Sequence, residues 1–77
     1  MPTATYGDFR VVLRRAGFQM VRSRKHETWE KALPSGAILQ VRLSHQQTRD
    51  LPTALFHHML RQAQLTQAEF FALLREG

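Results

Sequence analysis

The apolar residues near the start of the chain recur with the spacing of an amphipathic α-helix. Four of them form one stripe: Phe9, Val12, Leu13 and Ala16. Arg10 and Arg14 are four residues apart, and we expect them together on the outer side of this helix. Thr5 and Asp8 have the spacing of an N-terminal capping box, and Gly17 is suited to the turn that follows a helix. The pattern therefore predicts a first helix between Thr5 and Gly17.

Residues 18–43 show the alternation of polar and apolar positions that is typical of β-strands. Three strands are predicted, over residues 18–23, 26–32 and 37–43, and residues 33–36 form the turn between the last two. The third strand has one apolar face with Leu39, Val41 and Leu43, and an opposite face with Ile38, Gln40 and Arg42. The first strand has no clearly apolar face, so it does not identify the side that packs on the core.

The two faces of the second strand differ in one large aromatic residue. His26, Thr28 and Glu30 lie on one face, opposite Glu27, Trp29 and Lys31. We predict that Trp29 faces the core, and this orientation would place His26 on the open side of the sheet. The alternative is that Trp29 lies on the open side as a stacking platform for a nucleobase.

Helical spacing returns after a polar linker over residues 44–49. Pro52 is suited to the first turn of a helix that runs to about residue 63. The apolar stripe of this helix consists of Leu55, Met59, Leu60 and Ala63. Thr66 and Glu69 form a second capping box, which opens a last helix containing Phe70, Phe71 and Leu74.

The predicted order of elements is helix, three strands, helix and helix, in one domain over residues 1–77. A chain of 77 residues is long enough for one small domain and not for two. We predict an α+β fold in which helices cover one face of a three-stranded antiparallel sheet and leave the other face open.

The basic residues are unevenly distributed along the chain. Residues 1–49 carry nine basic and three acidic residues, whereas residues 50–77 carry two basic and three acidic residues. Nine of the eleven cations are arginines, which bind phosphate in a bidentate manner. This asymmetry favours a surface that binds a polyanion over a surface that is merely solubilised.

Several classes of protein are disfavoured by composition. The chain has no cysteine, so it has no disulfide framework and no thiolate metal site. No apolar run approaches the roughly 20 residues of a membrane span. The first residues lack the pattern of a signal peptide. We therefore expect a cytoplasmic protein that makes no contact with a membrane.

Among the four histidines, His26 has the most distinctive neighbours, because it directly follows a basic segment containing Arg22, Arg24 and Lys25. A histidine among cations can cleave RNA without a metal ion. The imidazole accepts the proton of a ribose 2′-OH, which attacks the adjacent phosphate, while the cations stabilise the developing charge. The simpler interpretation of the residues alone is a histidine that hydrogen-bonds across the strands.

The other histidines suggest no metal site. His57 and His58 are adjacent in a predicted helix, so their side chains diverge and do not form a ligand pair. His45 lies in the polar linker and is expected to be solvated, and the alternative is a position near the open face of the sheet. The chain also lacks a glycine-rich phosphate loop and a nucleophile-elbow motif. We expect neither a metal nor another cofactor.

The order and spacing of these features resemble the HicA family of bacterial toxins over nearly the whole chain. The similarity begins in the first helix and at Gly17 and Phe18, and it continues through His26 and the turn at residues 33–36 to His45. It extends into the second long helix, which matches the family's leucine, hydrophobic, basic, glutamine, alanine pattern, and into the capped last helix. The residues that carry this final part are Leu55, Met59, Leu60, Arg61, Gln62, Ala63, Leu65, Thr66 and Glu69.

The resemblance implies a fold like that of double-stranded-RNA-binding domains, with an α-β-β-β-α arrangement and a short extra C-terminal helix. It implies an endoribonuclease that cleaves mRNA during translation and is held inactive by a HicB-like antitoxin. The family's catalytic histidine opens the second strand and corresponds to His26. Arg22, Arg24 and Lys25 would then bind phosphate or stabilise the transition state, and Arg42 would contribute if its face is the open one.

The chain departs from the family pattern at three places. Arg24 and Lys25 replace the Gly-Ser pair before the catalytic histidine, and the proline usual near the end of the third strand is absent. Thr53 stands where a glycine is usual. Two other functions remain open: a non-catalytic RNA-binding module of the same fold, which would need the basic surface but not His26, and a protein-interaction domain whose charge only aids solubility.

Overall fold

The computed structural model describes residues 4–46 and 48–76. It contains three helices and three strands in the order α1 (Tyr6–Arg15), β1 (Gln19–Ser23), β2 (Glu27–Ala32), β3 (Ile38–Leu43), α2 (Thr53–Ala63) and α3 (Gln67–Arg75). The strands form one antiparallel sheet in the order β1-β2-β3. The predicted α+β class and the three-stranded antiparallel sheet are confirmed.

Both predicted capping boxes are present. The amide of Asp8 donates to the Thr5 hydroxyl at 3.1 Å, and the amide of Thr5 donates to the Asp8 carboxylate at 3.0 Å. Thr66 and Glu69 form the same reciprocal pair at the start of α3, at 2.9 and 3.0 Å. Each box satisfies two backbone N–H groups and places the first residue of its helix, as the sequence predicts.

The register of the sheet separates a buried face from an open face. Trp29 of β2 pairs with Val41 of β3, and both side chains are buried beneath the helices. Thr28 pairs with Arg42, whose side chain points to the opposite, uncovered face. The prediction that Trp29 faces the core is therefore confirmed, and the apolar face of β3 is the core face.

The strand boundaries differ slightly from those predicted. β1 begins at Gln19, and the preceding Phe18 is buried in the core. A bulge interrupts the pairing between Met20 and Arg22, so the regular alternation of faces fails along this strand and all five of its residues are exposed. His26 does not open β2 as predicted; it lies in the bend that precedes Glu27.

The core side of α2 contains Met59, Leu60 and Ala63 as predicted, but it has Phe56 in place of Leu55. Phe56 is 5% exposed, whereas Leu55 is 36% exposed and lies at the edge of the core. Both residues fit helical spacing with Met59, so the sequence pattern alone does not choose between them. Phe56 is selected because its ring packs edge-to-face against Phe70 of α3, with centroids 5.0 Å apart.

α3 packs against α1 rather than continuing the direction of α2. The rings of Phe9 and Phe70 lie 5.0 Å apart, and the Arg15 guanidinium donates to the carbonyl oxygens of Leu73 and Leu74 at 2.8 and 3.0 Å. These bonds satisfy backbone oxygens near the C-terminal end of α3. The helices thus lie on one side, and the face of the sheet that carries Arg42 stays uncovered.

Pro52 occupies the N-cap position immediately before α2, one residue earlier than the predicted first turn. The chain leading into it pairs with the segment before α1, where the amide of Leu51 donates to the carbonyl of Ala4 at 2.9 Å. Within residues 4–46 and 48–76, no helix is long and apolar enough to cross a membrane.

Candidate functional site

The five residues predicted to act on RNA line a single shallow groove of about 410 Å³. Two of them lie on strands β1 and β3, and three lie in the β1–β2 loop; Thr28 of β2 completes the lining. The lining residues are Arg22, Arg24, Lys25, His26, Thr28 and Arg42. We call this surface the basic groove. The sequence placed Arg42 far from the others, and the sheet brings it beside them.

The register of the strands accounts for this assembly. Arg22 of β1 and Arg42 of β3 each pair with Thr28 of β2, so the three residues form one row across the open face. Directly opposed residues of neighbouring strands lie about 5 Å apart. Because Thr28 is short, the row leaves a gap between two guanidinium groups, and an anion can enter that gap from solvent.

Within residues 4–46 and 48–76, no carboxylate lies within ion-pair distance of the cations of the basic groove. The carboxylate that forms an ion pair among the described residues is that of Glu27, with Arg10, and the His45 ring lies 3.4 Å from the same carboxylate. Glu30 lies on the open face but accepts a hydrogen bond from the Gln40 side-chain amide at 2.8 Å. Four cations gathered without a carboxylate within ion-pair distance make a site that attracts phosphate groups.

His26 lies at the junction of the basic groove and a second cleft. This cleft, of about 240 Å³, runs between β3 and α2 and is lined by Tyr6, His26, Arg42, Leu43, Ser44, Leu55 and Met59. His26 is exposed, and no hydrogen bond joins its ring to another described residue. The simpler interpretation of the sequence, a histidine held by a cross-strand hydrogen bond, is therefore not what the structure shows.

Directly beside this open site lies a buried ionic cluster that the sequence did not predict. Arg10 is 5% exposed and Glu27 is 7% exposed. The Nε atom of Arg10 donates to both carboxylate oxygens of Glu27, at 2.8 and 3.0 Å, and the indole N–H of Trp29 donates to one of them at 3.1 Å. Burial disfavours the charged carboxylate, but the hydrogen bonds from Arg10 and Trp29 outweigh it and lower the pKa of Glu27.

The remaining donors of Arg10 connect α1 to the segment that follows β3. Its Nη1 and Nη2 atoms donate to the carbonyl oxygens of Gln46 and Ser44, both at 2.6 Å. The expectation that Arg10 and Arg14 lie together on the outer side of α1 was wrong for Arg10. Arg14 is exposed and lies over the Trp29 ring at 5.5 Å, whereas Arg10 enters the protein because Glu27 needs a cation there.

His45 joins the buried cluster to the basic groove. Its Nε2 atom lies 2.6 Å from the carbonyl oxygen of Arg24, and its Nδ1 atom lies 3.4 Å from the Glu27 carboxylate. A carbonyl oxygen only accepts hydrogen bonds, so Nε2 carries the proton in this contact. His45 is exposed, as expected for a loop histidine, yet it tethers the β1–β2 loop that carries Arg24, Lys25 and His26.

One signal in the sequence pointed to this cluster. Glu27 shares a strand face with Trp29, and a carboxylate on the core face requires hydrogen-bond donors and a cation. The sequence does not reveal which of the eleven cations supplies them, because Arg10 lies 17 residues away and on a different element.

The histidines of α2 lie apart from both grooves. His57 and His58 are exposed, and the His57 ring contacts Phe56 at a centroid distance of 5.6 Å. Among residues 4–46 and 48–76, no group of three or more histidine, aspartate or glutamate side chains is arranged to hold a metal ion.

Comparisons with known proteins do not identify the chain further. A scan against models of protein families, a search of curated proteins and a search of solved structures each find no match.

Proposed function

We propose that this protein is an endoribonuclease that cleaves mRNA without a metal ion and uses His26 as its general acid or base. The observation that carries the proposal is the position of one exposed histidine at the edge of a groove with four cations. None of these cations forms an ion pair with a described carboxylate. A phosphodiester in this groove would meet both a proton acceptor and charges that stabilise an anion.

The proposed reaction is an internal transfer at phosphorus. His26 removes the proton from a ribose 2′-OH, and the 2′-oxygen forms a bond to the adjacent phosphorus atom. The bond from phosphorus to the 5′-oxygen of the next nucleotide breaks, and that oxygen takes up a proton from the protonated His26 or from water. The products are a 2′,3′-cyclic phosphate and a 5′-hydroxyl end. Arg22, Arg42 and the loop cations stabilise the extra negative charge of the phosphorane.

The resemblance to the HicA family supports a biological role for this reaction. In that role the chain is the toxin of a type II toxin-antitoxin system, and it cleaves mRNA in the cytoplasm. A HicB-like antitoxin would hold it inactive. The basic groove supports such a partner through charge, because a protein with acidic groups would both bind the four cations and exclude RNA.

A second candidate function is a non-catalytic RNA-binding module. It is favoured by one specific observation: the two residues before His26 are Arg24 and Lys25, so charge stands where the family has the small Gly-Ser pair. Such a module would bind duplex RNA through phosphate and 2′-hydroxyl contacts. It would use the same groove and would not depend on His26.

The decisive experiment compares the wild type with His26→Ala, and uses His58→Ala as the control. His58 is also exposed but lines neither groove. We expect induced expression of the wild type and of His58→Ala to arrest growth and fragment mRNA, and His26→Ala to do neither. With purified proteins, His26→Ala should lower the cleavage rate by about 10²–10⁴-fold while RNA binding and folding are retained.

Other outcomes would contradict the proposal in different ways. If none of the three proteins cleaves RNA but all bind it, the non-catalytic module is correct. If His26→Ala cleaves as fast as the wild type, a different residue performs the proton transfer, and His45 becomes the next residue to substitute.

A further inference from the structure

The cleft between β3 and α2 differs in character from the basic groove that it adjoins. Its inner wall is formed by the buried side chains of Leu43 and Met59 and by Tyr6, which is 8% exposed. Leu55 lies at its outer edge and is partly exposed to solvent. We call this surface the apolar cleft. A hydrophobic wall beside a phosphate-binding groove fits a ligand that is anionic at one end and apolar at the other.

The two surfaces form one continuous site. His26 and Arg42 line both the basic groove and the apolar cleft. A phosphate held between Arg22 and Arg42 would therefore have the apolar cleft on the His26 side. One of the two nucleosides attached to that phosphate would then lie beside Leu43 and Leu55.

We propose that the apolar cleft binds the base of the nucleotide whose 2′-OH attacks the phosphate, so that the substrate is RNA that is unpaired at the cleavage position. This inference rests on the proposed function of His26. The cleft volume of about 240 Å³ lies below the 300–1,000 Å³ typical of pockets for drug-sized ligands, so it suits a single base. A base can enter only after it leaves its stack and its partner strand.

Polar groups at the edge of the cleft allow it to orient a base. The Tyr6 hydroxyl makes no hydrogen bond with another described residue. Among the described residues, every side-chain oxygen that is fully buried does have a hydrogen-bond partner, so the Tyr6 hydroxyl is not fully buried. The Tyr6 hydroxyl therefore reaches solvent and is free to bond a ligand. Ser44, Tyr6 and His26 offer hydrogen bonds to the edge of a base, while the Arg42 guanidinium offers a planar surface for stacking.

The test uses a single-stranded RNA that the wild type cleaves, prepared in two forms. One form is intact, and the other has an abasic ribose at the cleavage position. The abasic RNA keeps the 2′-OH and the phosphate, so only the contribution of the base is removed. We expect kcat/KM for the abasic RNA to be about tenfold lower, the size of effect that one base contact produces. Annealing the intact RNA to its complement should slow cleavage by at least the same factor.

A pair of variants on α2 assigns this preference to the apolar cleft. Leu55→Trp fills the cleft, whereas Ala54→Trp adds the same side chain at an exposed neighbouring position that does not line it. The ratio of kcat/KM between the intact and abasic RNAs should fall to about one in Leu55→Trp and stay near tenfold in Ala54→Trp. The comparison of the two RNAs with the wild type needs no variant and is decisive even if Leu55→Trp folds poorly.

The possible failures are distinguishable. Equal cleavage of the intact and abasic RNAs, or of single-stranded and duplex RNA, overturns the base-binding cleft and leaves the proposed function standing. A base preference that survives in Leu55→Trp places the base elsewhere and also overturns the inference. If the wild type cleaves no RNA, the proposed function and the inference fall together.

Discussion

His26 and Glu27 are neighbours in the sequence, yet they belong to two regions that differ in whether their charged groups are buried and paired or exposed and unpaired. The buried cluster around Glu27 pairs one carboxylate with Arg10 and encloses both beneath the sheet. The basic groove around His26 exposes four cations that form no ion pair with a carboxylate of the described residues. Charge in the first region is matched, so removal of either partner would leave the other buried and unpaired. Charge in the second is unmatched and therefore available to a ligand.

The contact between the regions runs through His45. It touches Glu27 on one side and the carbonyl of Arg24 on the other. The loop that carries the candidate catalytic residue is thus connected, through His45, to the buried ion pair of Arg10 and Glu27. This arrangement supports the positioning of His26 without burying it, which is what a surface site on a small domain requires.

The sharpest test of the comparison makes the same substitution in both regions. Arg10→Leu leaves the Glu27 carboxylate buried without its cation and should lower the free energy of unfolding by roughly 3–5 kcal/mol. Arg42→Leu removes an exposed, unpaired cation and should change stability by no more than about 0.5 kcal/mol. Urea unfolding of the two variants and the wild type measures both values.

The two-region interpretation fails if Arg10→Leu and Arg42→Leu have similar stabilities. A small domain has only about 5–10 kcal/mol of stability in total, so the expected loss in Arg10→Leu is a large share of it. If that variant does not fold at all, Arg10→Lys, which keeps the charge but not the geometry of the donors, provides a milder measurement.

A smaller effect is expected on RNA binding, and here the substitution in the basic groove is the one that matters. Arg42→Leu should weaken binding several-fold and reduce the slope of log affinity against log salt by about one, because one phosphate contact is lost. Arg61→Leu removes an exposed arginine of α2 that lines neither groove and serves as the control. Fluorescence anisotropy over a range of salt concentrations measures both quantities. Equal losses in the two variants would mean that binding follows net charge and not the groove.

The smallest effect concerns the acid stability of the buried cluster. The folded pKa of Glu27 lies below the ordinary value of 4.5, so the unfolded chain binds more protons than the folded chain in this pH range. The stability that Glu27 contributes is therefore complete above about pH 4.5 and is lost as the pH falls through its folded pKa.

The variant Glu27→Gln isolates this contribution. It should be less stable than the wild type at pH 7, and the difference should shrink as the pH falls below 4.5 and the wild-type carboxylate becomes protonated. Glu76→Gln is the control, since the Glu76 side chain is exposed at the C-terminal end of α3. A stability difference between Glu27→Gln and the wild type that is independent of pH would contradict the assignment of charge to Glu27.

The sequence by itself determined the order of the elements, the starts of α1 and α3 and the core side of β2. These features depend on residues within a few positions of one another: the Thr5–Asp8 and Thr66–Glu69 caps, and the alternation around Trp29. Local hydrogen bonds and periodicity depend only on neighbouring residues, so they can be predicted without knowing how the helices pack.

The tertiary structure alone decided the rest. The choice of Phe56 over Leu55 depends on the ring of Phe70, and the burial of Arg10 depends on Glu27, 17 residues away. The row of Arg22 and Arg42 exists only because both strands pair with β2 in a particular register. Contacts between distant residues are set by how the elements pack on one another, and a pattern along one chain does not carry that information.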